Sequence, residues 1–187
     1  MHRVLIAQPR SQDAYFQHTV IAVCSHSEQG AWGLVLNKPV LDLERTRYIW
    51  RCLGFEEGLG PNHEELWEGG PVHQDRILVL HSDDWSGPAT QGLIPGVLVT
   101  QDPSIFQSLH KGHGPRNMKF FMGFASWGPG QLDGEQRGQP PWQAWQTWLT
   151  APASLGSIMS IREQDDQWHR AIRRSARQQT ATWLQIP

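Results

Sequence analysis

Apolar and polar residues alternate in short blocks along this chain, and most of the blocks read as strands. Val4-Leu5-Ile6-Ala7 is a four-residue apolar run stopped by Pro9, the pattern of a short buried strand. His18 to His26 and Ala31 to Asn37 are two β-rich runs around Ser27-Glu28-Gln29-Gly30. A short loop ending in glycine between such runs predicts a hairpin. Leu43, Tyr48, Trp50 and Leu53 recur at roughly helical spacing as far as Gly54, which predicts a helix with those four on its apolar side. Residues 56 to 64 read as loop. "ELWEGGPV", Glu65 to Val72, predicts a short strand running into a turn, because Gly69-Gly70 tolerate positive φ and Gly70 precedes a proline.

Arg76 to Ser82 and Leu93 to Gln101 predict two more strands around the polar loop Asp83 to Thr90, with Pro95 placing the second at an edge or a bulge. Asp102-Pro103 predicts the start of a short helix through Ile105, Phe106 and Leu109, stopped by Gly112. Asn117 to Ala125 reads as a strand that ends in a glycine-rich corner, Ser126 to Glu135, where a helix begins. "PPWQAWQTWL", Pro140 to Leu149, predicts a helix with Trp142, Trp145, Trp148 and Leu149 at helical steps. The last helix is expected over 165–184, with Trp168, Ile172, Ala176, Gln179 and Trp183 near one face. Strands first, helices mainly afterwards, and hairpins in place of regular βαβ alternation predict an α+β fold with a largely antiparallel sheet.

The chain's 187 residues suit one domain spanning 1–187, which at this size buries about 70% of the surface its unfolded form exposes. A net charge of −2 with scattered basic residues creates no global field toward nucleic acid or an anionic membrane. The longest apolar runs, such as Val20 to Cys24, are far too short to span a bilayer, so a soluble, cytoplasmic protein with no membrane partner is expected. Cys24 and Cys52 form neither a disulfide framework nor a CxxC pair. Ten Trp beside two Tyr and six Phe either fill the core or mark a contact surface.

Ser126 at the corner raises the question of a nucleophile elbow, but that motif needs glycine on both flanks and Phe124 occupies the first position. No histidine is placed by spacing as its base. Gly128-Pro129 reads as the cap and first residue of the following helix, whose free N–H groups suit an anion. Gly130 and Gly134, one turn apart, would let that helix press on the sheet. His110 and His113, and His81 with Asp83 and Asp84, are weak metal-ligand patterns, and no metal or cofactor is expected. Arg170, Arg173, Arg174 and Arg177 share one face of the last helix and could meet phosphates, although acidic residues followed by arginines is also the order a helix dipole favours. P-loop, dinucleotide-binding, zincin and EF-hand motifs are absent.

"GAWGLVLNKP", "EGGPV" and "GFASWGPGQLDGE", with "VLIAQP", "LVLHS" and "WLTAPA", together resemble the AlgH/YqgE family of bacterial proteins over most of the chain. The resemblance implies a small α+β protein with a bent, bifurcated antiparallel sheet rolled into a pseudo-barrel and surrounded by helices. It implies no established enzymatic activity; the family name derives from a proposed regulatory role in alginate production. The family corner commonly carries glycine where this chain has Ser126, which counts against a serine nucleophile. The run from Gln136 into the Trp-rich segment, 136–149 overall, is longer than the family's usual one. The matching positions are His26, Gly30, Gly33, Asn37, Lys38 and Pro39; Gly69, Gly70, Pro71 and Val72; His81; and Gly123, Ala125, Trp127, Gly128, Gly130, Gln131, Leu132 and Glu135.

The glycines speak of backbone geometry, whereas Asn37, Lys38, His81, Trp127 and Gln131 are expected on the rim of one groove, beside the Gly69-Gly70-Pro71 turn. The expected function is that of a non-enzymatic regulatory or binding protein acting through a small ligand or protein partner. Alternatives are a hydrolase using Ser126 or His81, or nucleic-acid binding through the last helix.

Overall fold

The computed structural model describes residues 3–55, 65–141, 146–159 and 164–183. Residues 56–64, Trp142, Trp145 and the end of the expected last helix lie outside them.

Strand β1 (Arg3–Ala7) pairs antiparallel with β2 (Val20–Ser27), which turns through Glu28 and Gln29 into β3 (Gly30–Val35), the expected hairpin. Helix α1 (Leu43–Cys52) starts on Asp42, whose carboxylate accepts the Arg45 N–H. Its buried side is Thr46 and Trp50; Leu43 and Tyr48, expected inward, are exposed. Short β4 (Leu66–Glu68) and long β5 (Val72–Ser82) follow. The single strand expected over Leu93–Gln101 is instead a hairpin, β6 (Thr90–Ile94) and β7 (Val97–Thr100), because Pro95-Gly96 makes the turn and Gly96 adopts φ +81°.

Helix α2 (Ser104–His110) begins where the Asp102 carboxylate accepts the Ser104 N–H. Strand β8 (Met118–Trp127) continues through Ser126 and Trp127, so the corner comes after them. Gly130, at φ +72°, caps α3 (Gln131–Arg137) in place of Gly128, and a Cβ there would meet open space, so this glycine answers to backbone conformation and not to packing. The helix expected over 140–149 is contradicted at its end. Trp148 opens strand β9 (Trp148–Pro152), which pairs along the whole of β1 and buries Trp148 and Ala151. Helices α4 (Leu155–Ile158) and α5 (Gln164–Trp183) close the chain, α5 lying against β9, β1 and β2.

The strands run β6-β7-β5-β8-β3-β2-β1-β9, an open α+β sheet that bifurcates at β8. Residues 118–122 of β8 pair with β5, and 120–122 of these also with the parallel strand β4, whereas residues 125–127 pair with β3. Gly123 marks the fork, at φ +64°. A Cβ on it would stand 2.6 Å from the Val72 carbonyl oxygen and 2.7 Å from that of Gly70. Gly69 locks the same point, donating its N–H to Met122 and accepting from Val35. Of the seven Trp side chains described, Trp50, Trp67, Trp127, Trp148 and Trp168 are buried and serve packing, whereas Trp32 and Trp85 are half-buried and keep part of their surface open.

Lys119 of β8 is only 3% exposed. Its ammonium donates to the Leu36 carbonyl at 3.1 Å and stands 4.0 Å over the Trp67 ring. Burial pushes its pKa down to about 8, against the opposing pull of Glu65. Below pH 8 folded and unfolded chains both carry the charge, and its burial weighs against the fold. From pH 8 toward 10.5 the folded chain sheds the proton first, so this lysine's contribution to stability rises, by about 1 kcal/mol between pH 8 and 9. The Cys24 thiol, pushed up by burial, acts oppositely above pH 9. Comparison with Lys119→Met cancels that effect: denaturant titrations should show any stability advantage of the variant shrinking by about 1 kcal/mol over this interval. A constant difference would show that the buried Lys119 does not lose its proton over this interval.

Candidate functional site

The five residues expected on one rim do not meet. Asn37 is fully buried; its Oδ1 accepts the Val20 N–H and its Nδ2 donates to the His18 carbonyl, both at 2.8 Å. It stitches the start of β2 to the end of β3. Lys38 forms a 3.1 Å ion pair with Glu68 and covers the Tyr15 ring at 3.5 Å. His81 is fully buried, its Nδ1–H donating to the Ser82 carbonyl at 2.8 Å, and burial lowers its pKa. It pairs with Met118, nine residues before Trp127 along β8, a separation of up to roughly 30 Å on a strand. Gly69, Gly70 and Pro71 shape the fork.

Trp127 and Gln131 do meet, around Glu135. That carboxylate, 9% exposed, accepts from the Trp127 indole at 3.0 Å, the Trp148 indole at 2.7 Å and the Gln131 amide at 2.9 Å. Gln131 Oε1 also accepts the Gly128 N–H at 3.0 Å, fastening the corner. These groups line a hollow with Phe16 and Trp148, but their polar atoms are bonded to one another, which makes the set a structural clasp.

The alternative of a hydrolase at Ser126 finds no bonded base among the described residues. The serine side chain is exposed, with no side-chain hydrogen bond to a histidine among the described residues, and His81 lies at the far end of β8. His110 Nε2 bonds the Leu53 carbonyl and its ring stacks on Phe55 at 4.3 Å. No group of three metal-ligating side chains occurs among the described residues. On α5, Arg170 is tied to Asp166 at 2.9 Å and Arg174 reaches the Ser154 hydroxyl at 3.3 Å.

A cavity of about 430 Å³ opens instead where three segments meet: the end of the β2–β3 hairpin, the start of β5 after the Gly-Gly-Pro turn, and the end of β8. Those are the elements that the motifs singled out, and Gly30, Ser126 and Trp127 are among the lining residues, but of the five side chains expected on one rim only Trp127 is. Ser25, Trp32 and Ser126 stand directly opposite one another across β2, β3 and β8 and therefore share a face.

On the other wall, β5 leaves its ladder. Val72 pairs with Phe124 and Ile77 with Met122, so residues 73–76 are accommodated opposite Gly123 alone. This wide excursion carries His73, at φ +49°, and Arg76 to the cavity. A non-glycine residue held in the left-handed region is strained by about 1–2 kcal/mol, and such strain gathers at functional positions. Phe124 meets Trp32 edge-on at 5.8 Å and His73 at 5.8 Å, giving an aromatic wall. Gln91 and Gln101 add amides from the β6–β7 side. The one available signal for these residues was "VHQDR", a polar run directly followed by the apolar run of β5; the rest depended on strand register.

The AlgH-like family model matches residues 4–179. A UPF0301 protein of Delftia acidovorans is 37% identical over 182 residues, covering 91% of this chain and 86% of the relative. One from Methylococcus capsulatus is 34% identical over 169 residues, covering 90% and 87%. The solution structure of AlgH from Pseudomonas aeruginosa superposes with a TM-score of 0.70 at 30% identity, over 92% of this chain and 87% of that one. A Corynebacterium diphtheriae crystal structure shares the fold at TM-score 0.68 and 21% identity, over 92% and 85%. No helix among the described residues is long and apolar enough to cross a membrane. Fold, motif positions and these matches agree: the chain belongs to the AlgH-like family.

Proposed function

We propose that this protein is a non-enzymatic binding protein with a regulatory role in the cytoplasm, and that it takes a small ligand in the cavity between the hairpin, β5 and the end of β8. The observation that carries this reading is the construction of the cavity. Three segments distant in sequence converge on it, one of them through a strained excursion from its ladder, and they supply both an aromatic wall and uncommitted polar side chains. Regulation would follow from occupancy, because a ligand touching β2, β3, β5 and β8 bridges both branches of the sheet.

A thermal-shift screen against a metabolite library tests it. A compound at ten times its Kd should raise the melting temperature by about 3–5 °C, and Arg76→Ala and Trp32→Leu should each reduce the shift. Stabilisation that survives both substitutions would move the site elsewhere, and a screen without a stabilising compound would count against the reading.

A further inference from the structure

We infer that the cavity selects a planar aromatic ligand bearing an anionic group, with the ring against Trp32 and Phe124 and the anion at Arg76. This rests on the binding role proposed above and specifies its chemistry. No aspartate or glutamate is among the described residues that line the cavity. Asp75, 79% exposed, approaches His73 Nδ1 at 3.8 Å without lining it. Arg76 is exposed and makes no ion pair among the described residues, so its guanidinium is available to a carboxylate or a phosphate.

Charge is therefore one-sided at this site. In the clasp around Glu135, and at Lys38 and Arg170, opposite charges or donors and acceptors already satisfy one another. The second feature is the wall. Trp32 and Phe124 are half-buried and set edge to face, and each leaves part of its surface to the opening. A flat ring removes that surface from water and keeps favourable aromatic geometry, whereas a branched aliphatic group covers it poorly. Gln91, Gln101, Ser25 and Ser126 can bond to polar ring substituents, which makes orientation specific.

Matched probes test the idea by calorimetric titration: 2-naphthoate, the neutral 2-naphthamide of the same shape, and cyclohexanecarboxylate, an anion without a flat ring. The naphthoate should bind roughly tenfold more tightly than either of the others, and 2-naphthyl phosphate distinguishes a phosphate from a carboxylate preference. Arg76→Gln, on an exposed side chain, should weaken naphthoate about tenfold and leave naphthamide within about twofold; Arg76→Lys should recover part of the loss. Trp32→Leu should weaken both naphthyl compounds.

Equal affinity for naphthoate and naphthamide, or indifference of naphthoate to Arg76→Gln, would overturn the inference. So would the absence of naphthoate binding at millimolar concentration. If the metabolite screen meanwhile yields neutral or aliphatic compounds whose effect depends on Trp32, the binding role stands and only the ligand class fails.

Discussion

Gly70→Ala is expected to lose more than about 4 kcal/mol of folding free energy and to lower the melting temperature by more than about 10 °C. A β-carbon on Gly70 would fall inside the peptide joining Phe124 to Ala125. That peptide cannot withdraw, because Phe124 is paired with Val72 and Ala125 with Gly33, one on each branch of the sheet. The substitution therefore pushes the fork open. Gly92→Ala provides the comparison: a Cβ there meets nothing within 4 Å, and alanine should leave stability unchanged to within about 0.5 kcal/mol or raise it slightly. Thermal denaturation of the two variants decides the matter, and a Gly70→Ala protein melting within 3 °C or so of the parent would show that the fork is not held by this contact.

Glu135→Leu is expected to cost about 3–5 kcal/mol, since it strands two buried indole N–H groups at about 1–3 kcal/mol each and removes the acceptor for Gln131. The loss should extend beyond α3, because Trp148 is the first residue of β9 and Trp127 the last of β8. Glu135 thus ties the helix to two strands. Combining Glu135→Leu with Trp148→Phe removes one stranded donor, so denaturant titrations of the single and double variants should give a coupling energy above about 1 kcal/mol. Additivity within about 0.3 kcal/mol would contradict the clasp.

Much of the fold was legible from period and punctuation. The β2–β3 hairpin followed from two β-rich runs and a glycine turn, and α1, α2 and α5 from helical spacing with Gly54, Asp102 and Gly112 as boundaries. Misreadings came where local pattern and tertiary pairing disagreed. Trp142, Trp145 and Trp148 fall at helical steps, but Trp148 is claimed by the open edge of β1 and by Glu135. Pro95 reads as the mark of an edge strand or a bulge, and with Gly96 it ends one strand and turns into the next.

The motifs lie on the elements that line the proposed cavity, but most of the side chains they singled out point elsewhere. Asn37 and His81 looked functional as polar residues beside apolar strands, yet both satisfy internal backbone groups. Trp32, His73, Arg76, Gln91, Gln101 and Phe124 are joined only by the pairing of strands far apart in sequence and by the excursion of β5 opposite Gly123. No spacing rule within a single segment contains that information.

The ligand site we propose is this cavity and not the Glu135 clasp or the arginine face of α5. A 1H–15N correlation titration of the labelled protein with the most stabilising compound from the metabolite screen tests it most directly. The indole signal of Trp32, the side-chain amides of Gln91 and Gln101 and the backbone amides of residues 73–76 and 124–126 should shift together with one Kd. Shifts centred on the Trp127 and Trp148 indoles, or on α5 from Arg170 to Arg177, with Trp32 unmoved, would contradict it.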